Sequence, residues 1–373
     1  MRVVGISLYA IDLPLRVPFR VAYGEWTSMP SIVARVATDG GLVGWGEAVP
    51  DPHVTGETPA SVLAMLAEDL APLLLGLDPR DLEAVEARVF ATVLGAPAAK
   101  AALEIALSDL QAQAAGVALC RLYGGRTQPE RELFSVVSLD TPAAMAEEAA
   151  RAIGERGHRG LKLKLGEGGA ARELERVRAI RAAVGDVPIR IDANQGWGNA
   201  AEAVATIRRL EPFEPLWVEQ PTARGDIAAL AEVRARVGVP IMADESVRDA
   251  GELLALIQAR AADMVNVKLM KCGGVSRAAL ICRIAGAAGL KVQIGSMVES
   301  AIGSMAGAQL ATARPEVVSL ETSGPLLFSK DVGESPIVGP RFTVSERPGL
   351  GVQVEGERVE RLAHETRHLG ERP

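Results

Sequence analysis

Acidic and basic residues recur along this chain at a nearly constant interval. Asp192, Glu219, Asp244 and Lys268 are separated by 27, 25 and 24 residues, about the length of one strand, one helix and their loops in a barrel. Each stands at or just past the end of a short apolar run that is typical of a buried strand. A further run, Leu-Lys-Leu-Lys-Leu at 161–165, falls one interval earlier. The pattern predicts consecutive strands of a β/α barrel that carry chemistry at their ends.

The segment after Gly125 alternates short strand-like runs with amphipathic helices rich in Ala, Arg and Glu. The strand candidates are ELFSVVSLD, LKLKLG, IRIDAN, LWVEQP, VPIMADES, MVNVKLMK, KVQIGSM and VVSLET. Eight is the number of parallel strands that closes a barrel. A doubly wound open sheet is the alternative, but no G-x-G-x-x-G follows the first strand. We therefore expect an α/β barrel over residues 126–324.

Residues 1–125 show a different pattern. Strand-like runs, the last two joined by the Asp-Gly-Gly turn at 39–41, indicate an antiparallel sheet. Helical periodicity then begins at Thr58, a candidate N-cap that precedes a proline. Strands followed by helices predict an α+β domain over 1–125. The turn-rich tail, about 325–373, is expected to return and complete this domain.

Composition limits the possible partners. The 373 residues, of which 48% are hydrophobic, suffice for a barrel and a second domain. A net charge of −7 with scattered basic residues lacks the footprint of a nucleic-acid binder, and no apolar run reaches the roughly 20 residues that cross a bilayer. Cys120, Cys272 and Cys282 form no CxxC pair and predict reduced thiols in the cytoplasm. We expect no nucleic-acid or membrane partner, and a homo-oligomer.

Three acids at matched strand ends predict a metal site. Asp192, Glu219 and Asp244 would converge at the barrel mouth as an all-oxygen set, which suits Mg²⁺, with Mn²⁺ as a substitute. Zinc is poorly supported, because no Cys or His lies in these motifs. Asn194 and Glu245 stand next to these ligands in sequence. They would orient the ligands or, alternatively, cap loops.

Two lysines one strand earlier predict a base. Lys162 and Lys164 are two residues apart, so in a strand both point to the same face. A solvent-facing pair on an edge strand is the alternative, but a closed barrel has no edge. Ammonium groups held close to each other and to a cation repel, which lowers the pKa of one of them. We predict Lys164, nearer the C-terminal end of the strand, as the base and Lys162 as its electrostatic helper.

Lys268 lies four strands further on, nearly across the barrel from Lys164. Lys271 competes for the same role, but it is nearer the loop and we expect it to be solvated. Opposed lysines reach both faces of the α-carbon of a metal-bound carboxylate, which suits removal of the α-proton. A Schiff-base aldolase would also use a buried lysine but would not need three acids. A non-catalytic, metal-stabilised barrel gives no reason for opposed lysines.

These residues resemble the enolase superfamily, and within it the muconate-lactonizing-enzyme subgroup. The resemblance covers essentially the whole chain and rests on the motifs VGWGEA, AAKAALEIALSDLQAQAAG, LYGG, LKLKLG, IDANQGW, VEQP, ADES and NVKLMKCGG. It implies a modified (β/α)8 TIM barrel of the (β/α)7β type with an N-terminal α+β capping domain. It also implies Asp192, Glu219 and Asp244 as metal ligands, with Lys164 and Lys268 as acid and base catalysts.

The resemblance further implies that two capping-domain loops, at about 18–29 and 51–58, close over the substrate. The mandelate-racemase branch of the superfamily places a histidine on the seventh strand, where this chain has QIGSMVES. Members with the same five site residues carry out cycloisomerisation, β-elimination, amino-acid racemisation or dipeptide epimerisation. The motifs therefore imply the chemistry more closely than the substrate, which we expect to be a small-molecule carboxylate.

We expect residues at the end of the eighth strand to recognise the substrate. Dipeptide epimerases carry Asp-x-Asp there to hold the substrate ammonium, whereas this chain has Glu321-Thr-Ser followed by Gly-Pro, similar to muconate cycloisomerases. We expect Glu321, Ser323 and Met297 to contact the substrate, and Glu299 either to join them or to bond to backbone. We predict a racemase or epimerase of an amino-acid derivative or dipeptide, ahead of a muconate-type cycloisomerase or a β-eliminating enzyme such as o-succinylbenzoate synthase.

Overall fold

The computed structural model describes residues 1–322, 324–334, 337 and 339–371. Its strands are β1 (Val3–Val21), β2 (Gly24–Thr38), β3 (Val43–Ala48), β4 (Glu130–Glu132), β5 (Ser135–Val137), β6 (Leu161–Lys164), β7 (Ile189–Asp192), β8 (Val218–Glu219), β9 (Ile241–Ala243), β10 (Met264–Val267), β11 (Lys291–Ile294), β12 (Val317–Leu320), β13 (Gly333–Glu334), β14 (Arg341–Thr343), β15 (Gln353–Val354) and β16 (Ala363–Gly370).

The α-helices surround these strands. They are α1 (Pro59–Ala64), α2 (Ala71–Leu74), α3 (Leu82–Arg88), α4 (Pro97–Ala114), α5 (Pro142–Gly154), α6 (Gly169–Val184), α7 (Ala200–Leu210), α8 (Ile227–Arg236), α9 (Ala250–Gln258), α10 (Leu269–Cys272), α11 (Val275–Ala287), α12 (Ala301–Ala313), α13 (Gly324–Leu327) and α14 (Gly356–Leu362). A π-helical turn, Met65–Leu70, joins α1 to α2, and 3₁₀ helices cover Phe90–Thr92, Leu119–Leu122 and Glu211–Phe213. Within the described ranges, no helix is both long and apolar enough to span a bilayer.

The N-terminal sheet is antiparallel, with strand order β16-β1-β2-β3. The C-terminal strand β16 pairs with β1, so the end of the described chain returns to the N-terminal strands. The hairpin between β1 and β2 is longer than the sequence indicated, because Phe19 pairs with Trp26 and Val21 with Gly24. The segment 18–29, expected as a loop, is therefore a paired β-hairpin. An irregularity between Pro14 and Phe19 lets the strands continue past the prolines.

The helices on this sheet show one predicted N-cap and one close approach that a glycine allows. Thr58 caps α1, accepting a hydrogen bond from Ser61 N at 3.1 Å, as its position before a proline predicted. Helix α4 is buried along nearly its whole length between the sheet and the barrel. Gly46 of β3 allows the close approach, since a Cβ there would lie 1.8 Å from the carbonyl oxygen of Ala102.

Strands β5 to β12 form one parallel sheet in sequential order, and seven of them lead into helices that pack around it. The eight predicted strands are thus confirmed. The sheet curls, because Lys162 Nζ of β6 lies 3.0 Å from Glu321 Oε2, just past β12. Within the described residues, hydrogen-bonded pairing runs from β5 to β12 without a ladder between these two strands. The (β/α)7β architecture with an antiparallel capping sheet agrees with the expected fold. The boundaries at residues 125 and 324 stay a prediction.

Two buried glutamates join the N-terminal elements to barrel helices. Glu104 of α4 accepts hydrogen bonds from Val275 N at 2.6 Å and Ser276 N at 2.9 Å, at the start of α11. Glu47 of β3 accepts from Ser300 N and Gly303 N, both at 2.9 Å, at the start of α12. A helix N-terminus presents free N–H groups and partial positive charge, so a carboxylate is favoured there. These contacts hold the cap against the barrel.

We expect Glu104→Gln to lower the free energy of unfolding by about 1–3 kcal/mol, because an amide has one acceptor oxygen where the carboxylate has two. Urea denaturation followed by circular dichroism measures the change. Glu68→Gln, which alters an exposed side chain on the π-helical turn, is the control. Equal stability of the two variants would show that the Glu104 contacts contribute nothing.

Candidate active site

The site begins with the register of two neighbouring strands. Lys162 pairs with Arg190, and Lys164 pairs with Asp192, across the parallel β6 and β7. All four side chains are buried, whereas the leucines that alternate with the lysines belong to the hydrophobic core. Because alternate side chains of a strand share a face, one face of this strand pair carries the charges. The lysine pair is therefore inside the barrel and not on a solvent-facing edge.

Lys162 is surrounded by carboxylates. Its Nζ lies 3.0 Å from Asp192 Oδ2, 2.8 Å from Glu219 Oε2 and 2.9 Å from Glu321 Oε1. Burial alone would lower the pKa of Lys162, but these carboxylates outweigh it and hold the pKa well above its usual range. Lys162 is thus a permanent positive charge in this arrangement. Repulsion between neighbouring ammonium groups does not control its protonation.

Lys164 and Asn194 form a network with the acids. Lys164 Nζ donates to Asp192 Oδ2 at 2.7 Å and to Asn194 Oδ1 at 3.1 Å. Asn194 has a left-handed backbone, φ 41°, and its N–H donates to Asp192 Oδ1 at 2.9 Å. Its side-chain amide donates to Glu245 Oε1 at 3.3 Å. The two residues predicted as ligand-orienting partners therefore contact each other, and Asn194 also contacts Asp192.

Lys268 follows β10, four strands from β6. Its Nζ lies 2.8 Å from Asp244 Oδ2. Burial would lower the pKa of Lys268, but Asp244, Glu245 and Glu219 outweigh burial and raise it. Asp244 in turn has a pKa below its usual range: burial opposes this, but Lys268 and Lys271 dominate.

The prediction that Lys271 is solvated was wrong. Its side chain is fully buried and donates to Asp244 Oδ1 at 2.6 Å and to the carbonyl oxygen of Asn266 at 3.0 Å, as well as to the Asp244 carbonyl oxygen. The physical reason is the short helix α10, which starts directly after Lys268 and turns the chain back. One helical turn brings Lys271 under the strand ends instead of into a loop.

Arg190, the partner of Lys162 across β6 and β7, is a further buried cation that no sequence motif singled out. Its guanidinium donates to Ser319 Oγ at 2.8 Å and lies 3.5 Å from the ring centre of Phe134 and 4.3 Å from that of Trp217. Burial lowers the pKa of Arg190 to about 10, still well above neutrality. It therefore adds positive charge beneath the acids.

The donor set fits a hard divalent cation. Glu245 Oε2 is buried and accepts no hydrogen bond within the described residues, and Glu219 Oε2 and Asp244 Oδ2 each lie 2.8 Å from a single lysine ammonium group. Burial, then Asp192, raises the pKa of Glu219 to about 8, and burial, then Asp244, raises that of Glu245 to about 7. Both pKa shifts come first from burial and then from neighbouring negative charge, and a cation bound by carboxylate oxygens would oppose both effects.

As the described side chains stand, however, no three acidic, histidine or cysteine side chains are arranged to hold an ion. The reason is that lysine ammonium groups lie against the same oxygens. The carboxylates of this cluster are those of Asp192, Glu219, Asp244, Glu245 and Glu321, and the ammonium groups are those of Lys162, Lys164, Lys268 and Lys271. A bound cation would require small shifts of these lysines. The assignment of Asp192, Glu219 and Asp244 as metal ligands stays a prediction.

A cavity of about 300 Å³ lies above the lysines, and both Lys164 and Lys268 line it. The two capping segments expected to cover the substrate, 18–29 and 51–58, supply half of the remaining wall. That wall comprises Phe19, Val21, Tyr23, Trp26, Met29, Pro30, Val49, Pro50, Asp51, Pro52, His53, Pro59, Asn194, Ser296, Met297 and Val298. A volume of this size accommodates a small ligand. A separate cavity of about 330 Å³, beside the hairpin and α5, touches neither lysine.

The residues predicted to bind substrate lie in different places. Met297 lines the cavity. Glu321 lies below it against Lys162, and Glu299 is turned away, accepting from Met297 N at 2.9 Å, which is the backbone alternative. Ser323 lies outside the described residues. Sequence reasoning located the two covering segments but missed their individual side chains, since pairing between distant segments leaves no local signal.

A parallel (β/α)7β barrel with lysines and acids at its strand ends, under an antiparallel cap, defines the class of enolase-type enzymes. The Mandelate racemase / muconate lactonizing enzyme N-terminal domain model matches residues 4–124, and the Enolase C-terminal domain-like model matches residues 144–359. The chain therefore belongs to the enolase superfamily, in its muconate-lactonizing subgroup, and the resemblance seen in the motifs is confirmed.

Individual relatives match over nearly their whole length. An N-succinyl-L-Arg/Lys racemase of Bacillus cereus is 39% identical over 97% of this chain and 98% of its own, and its crystal structure superposes with a TM-score of 0.97, covering 99% of this chain and 100% of the other. A dipeptide epimerase of Cytophaga hutchinsonii in complex with Mg and D-Ala-L-Val, at 32% identity, has a TM-score of 0.94 over 99% and 100% of the two chains. A muconate cycloisomerase of Acinetobacter lwoffii is 32% identical over 98% and 97%. These relatives are enzymes, and so is this chain.

We expect Lys271→Met to lower the free energy of unfolding by about 1–3 kcal/mol, because Asp244 loses one of its two ammonium partners and keeps only Lys268. Chemical denaturation measures the loss. The exposed Lys291 of β11 provides the control variant Lys291→Met. Combining Lys271→Met with Asp244→Asn should recover part of the loss, and a strictly additive double variant would contradict a direct interaction between the two side chains.

Proposed function

We propose that the chain is a Mg²⁺-dependent racemase of N-acylated amino acids that removes and returns the proton on the α-carbon. The observation that carries this proposal is that Lys164 and Lys268, from strands four apart, line one cavity. Two bases on opposite sides of one carbon can exchange its proton with inversion. Most of the relatives described above act on an amino-acid derivative or a dipeptide, and the first of them is a racemase.

Asp192, Glu219 and Asp244 would hold Mg²⁺, with Mn²⁺ as a substitute. When bound, the cation supplies positive charge against which the carboxylate of a substrate becomes more acidic at its α-carbon. The complexes of Mg with dipeptide epimerases support this choice of metal. Lys162 stays protonated among its three carboxylates and contributes a fixed charge. Asn194 holds Lys164 beside Asp192, because its side-chain oxygen accepts from Lys164 and its backbone N–H donates to Asp192.

The state of Glu321 favours an acylated substrate nitrogen. Both Glu321 oxygens lie within 3.0 Å of Lys162 Nζ, so this carboxylate already has its counter-ion. The neighbouring positions at the end of β12 are Thr322 and Ser323, neither of which is acidic. A free α-ammonium group of a dipeptide would therefore have to compete with Lys162 at this end of the barrel. An amide nitrogen carries no charge and needs no such partner.

Muconate-type cycloisomerisation is the second candidate function, supported by relatives at 32% identity. It transfers a single proton, so it gives one of the two cavity-lining lysines no part in proton transfer. The two reactions therefore differ in their need for the second lysine.

We expect the protein with Mg²⁺ in D₂O to exchange the α-proton of N-succinyl amino acids and to racemise them, as followed by NMR and polarimetry. Lys164→Ala and Lys268→Ala should each lower racemisation by about 100-fold or more. Each variant should still exchange the α-proton of one enantiomer, because one lysine remains on one face of the α-carbon. The two variants should therefore keep exchange activity toward opposite enantiomers.

The control for this experiment is Lys291→Ala, which removes an exposed lysine at the start of β11. Faster exchange of dipeptides than of N-succinyl amino acids would contradict the assignment to acylated substrates. Loss of the same enantiomer in both lysine variants would contradict two opposed bases. Consumption of cis,cis-muconate without exchange of any amino-acid derivative would establish the cycloisomerase instead.

Removal of divalent cations by EDTA should abolish exchange, because the substrate carboxylate then meets carboxylates of like charge without a cation between them. Added Mg²⁺ should restore activity, and Mn²⁺ should restore it in part. Isothermal titration of Mg²⁺ into the wild type and into Asp192→Asn, Glu219→Gln and Asp244→Asn checks the ligands independently of turnover. Wild-type affinity in all three variants would rule out this metal site.

A further inference from the structure

A further cavity, of about 650 Å³, opens at the end of the barrel opposite to the catalytic lysines. Trp217 of its wall directly precedes β8, and Met264 and Lys291 begin β10 and β11. Lys164, by contrast, ends β6, and Lys268 follows β10. Because the strands are parallel, their starts meet at one end of the barrel and the catalytic groups at the other. The proposed reaction therefore leaves this cavity without a role.

Arg190 is the buried cation in the wall of this cavity. Its side chain belongs to a residue that is only 6% exposed, and among the described residues Ser319 Oγ is its one hydrogen-bond acceptor. The Arg190 Nε is buried and has no acceptor in the described part of the chain. Glu219 and Glu321, whose charges act on Arg190, contact Lys162 instead. A buried cation without a carboxylate in contact is costly, which favours binding of an anion.

The aromatic neighbours of Arg190 leave its N–H groups available. The guanidinium carbon lies over the rings of Phe134 and Trp217, whereas the five N–H donors of a guanidinium lie in its plane. The rings thus stabilise the charge without accepting its hydrogen bonds. Trp217 Nε1 is also buried and has no acceptor within the described ranges. This end of the cavity has more donors than acceptors, which suits a carboxylate.

The remaining charges of the wall add to this preference. Asp263 is its one described acidic residue, and its carboxylate is already engaged, 2.8 Å from Arg234 Nη2 and 3.0 Å from Ile241 N, from which it accepts. Lys291 is an exposed cation of the same wall. Three cations, Arg190, Arg234 and Lys291, therefore face one carboxylate. Such a surplus of positive charge attracts anions.

The rest of the wall suits the apolar body of a ligand. Leu216, Pro240, Met264, Leu290 and Val318 contribute to it. The volume of the cavity lies within the range of small-molecule sites and far exceeds what an inorganic ion fills. Apolar groups of a ligand would gain by leaving water for this wall. An anion that carries a hydrocarbon chain or ring thus matches the cavity better than free phosphate or sulfate.

We propose that the cavity at the start of the barrel strands is a second ligand site, which binds a carboxylate with an apolar body. The carboxylate lies against Arg190, and the body follows the apolar wall toward Val318. The site is separate from the cavity that Lys164 and Lys268 line, and its existence does not depend on the reaction that those lysines catalyse.

The experiment titrates hexanoate, hexanamide and acetate into the full-length protein with Mg²⁺ and follows binding by isothermal titration calorimetry. Hexanoate should bind about 10- to 100-fold more tightly than hexanamide, the range that hydrogen bonds to a charged group supply. It should also bind more tightly than acetate, because acetate lacks the apolar body. Arg190→Gln should remove most of the preference for hexanoate over hexanamide.

Val318→Glu tests the same site without altering a buried charge, and so serves even if Arg190→Gln does not fold. Val318 is 47% exposed and lines the cavity, so a carboxylate there should weaken hexanoate binding by about 10-fold through like-charge repulsion. The matched control is Leu280→Glu, which adds the same charge at a residue of α11 that is 51% exposed and outside the cavity wall. This variant should keep the wild-type affinity.

Lys268→Ala should bind hexanoate as the wild type does, because Lys268 lies at the other end of the barrel. Loss of binding in this variant would place hexanoate in the cavity above the lysines and would overturn the proposal. Equal affinities for hexanoate and hexanamide, or for hexanoate and acetate, would contradict the assigned ligand class. Equal weakening by Val318→Glu and Leu280→Glu would show that only the net charge of the protein matters, and the site would be rejected.

Discussion

The need to pair every buried charge is the constraint on which this structure depends. Carboxylates and lysines crowd the end of the barrel with almost no access to water, where an unpaired charge would cost more than the net stability of a typical domain allows. The strand register meets this requirement, because it sets Lys164 beside Asp192 on one interior face. Lys271 of α10 meets the same requirement, because its ammonium group donates a hydrogen bond to the Asp244 carboxylate. Within the described residues Glu245 Oε2 keeps no hydrogen-bond partner, and the other acids meet lysine ammonium groups, whose place a divalent cation can share.

The buried carboxylates that attach the cap to the barrel are also partnered, although they lie outside the site. Glu47 reaches from β3 to the N-terminus of α12, and the residue that receives it, Ser300, comes two positions after Val298 in the cavity wall. Glu104 makes the equivalent contact at α11. The elements that cover the cavity and those that form its floor are thus joined next to the cavity itself. A carboxylate at a helix N-terminus needs no lysine, so these contacts do not compete with the charges of the site.

The parts of the fold that follow from periodicity were predictable from sequence. The strand-helix interval gave the eight barrel strands, and alternation within β6 placed both lysines on one face. Features set by contacts between distant segments were not. The hairpin at 18–29 depends on pairing of Phe19 with Trp26, and the burial of Lys271 depends on one short helical turn. The direction of the Glu299 side chain was equally unpredictable, because it depends on a hydrogen bond that its carboxylate accepts from Met297 N.

The barrel and the cap make separate contributions to what such an enzyme does. Structures that superpose on this chain with TM-scores of 0.97 and 0.93 are an N-succinyl Arg/Lys racemase and a muconate lactonizing enzyme, so the fold and its strand ends are compatible with different substrates. The difference must therefore lie in side chains that touch the substrate away from the reacting carbon. In this chain the side chains that line the cavity away from Lys164 and Lys268 come chiefly from the hairpin and from the turn after β3. Because the hydrogen bonds of that turn involve the backbone of Asp51, the side chains on this part of the cavity wall can change while the turn keeps its shape and the strand ends that carry Lys164 and Lys268 stay in place.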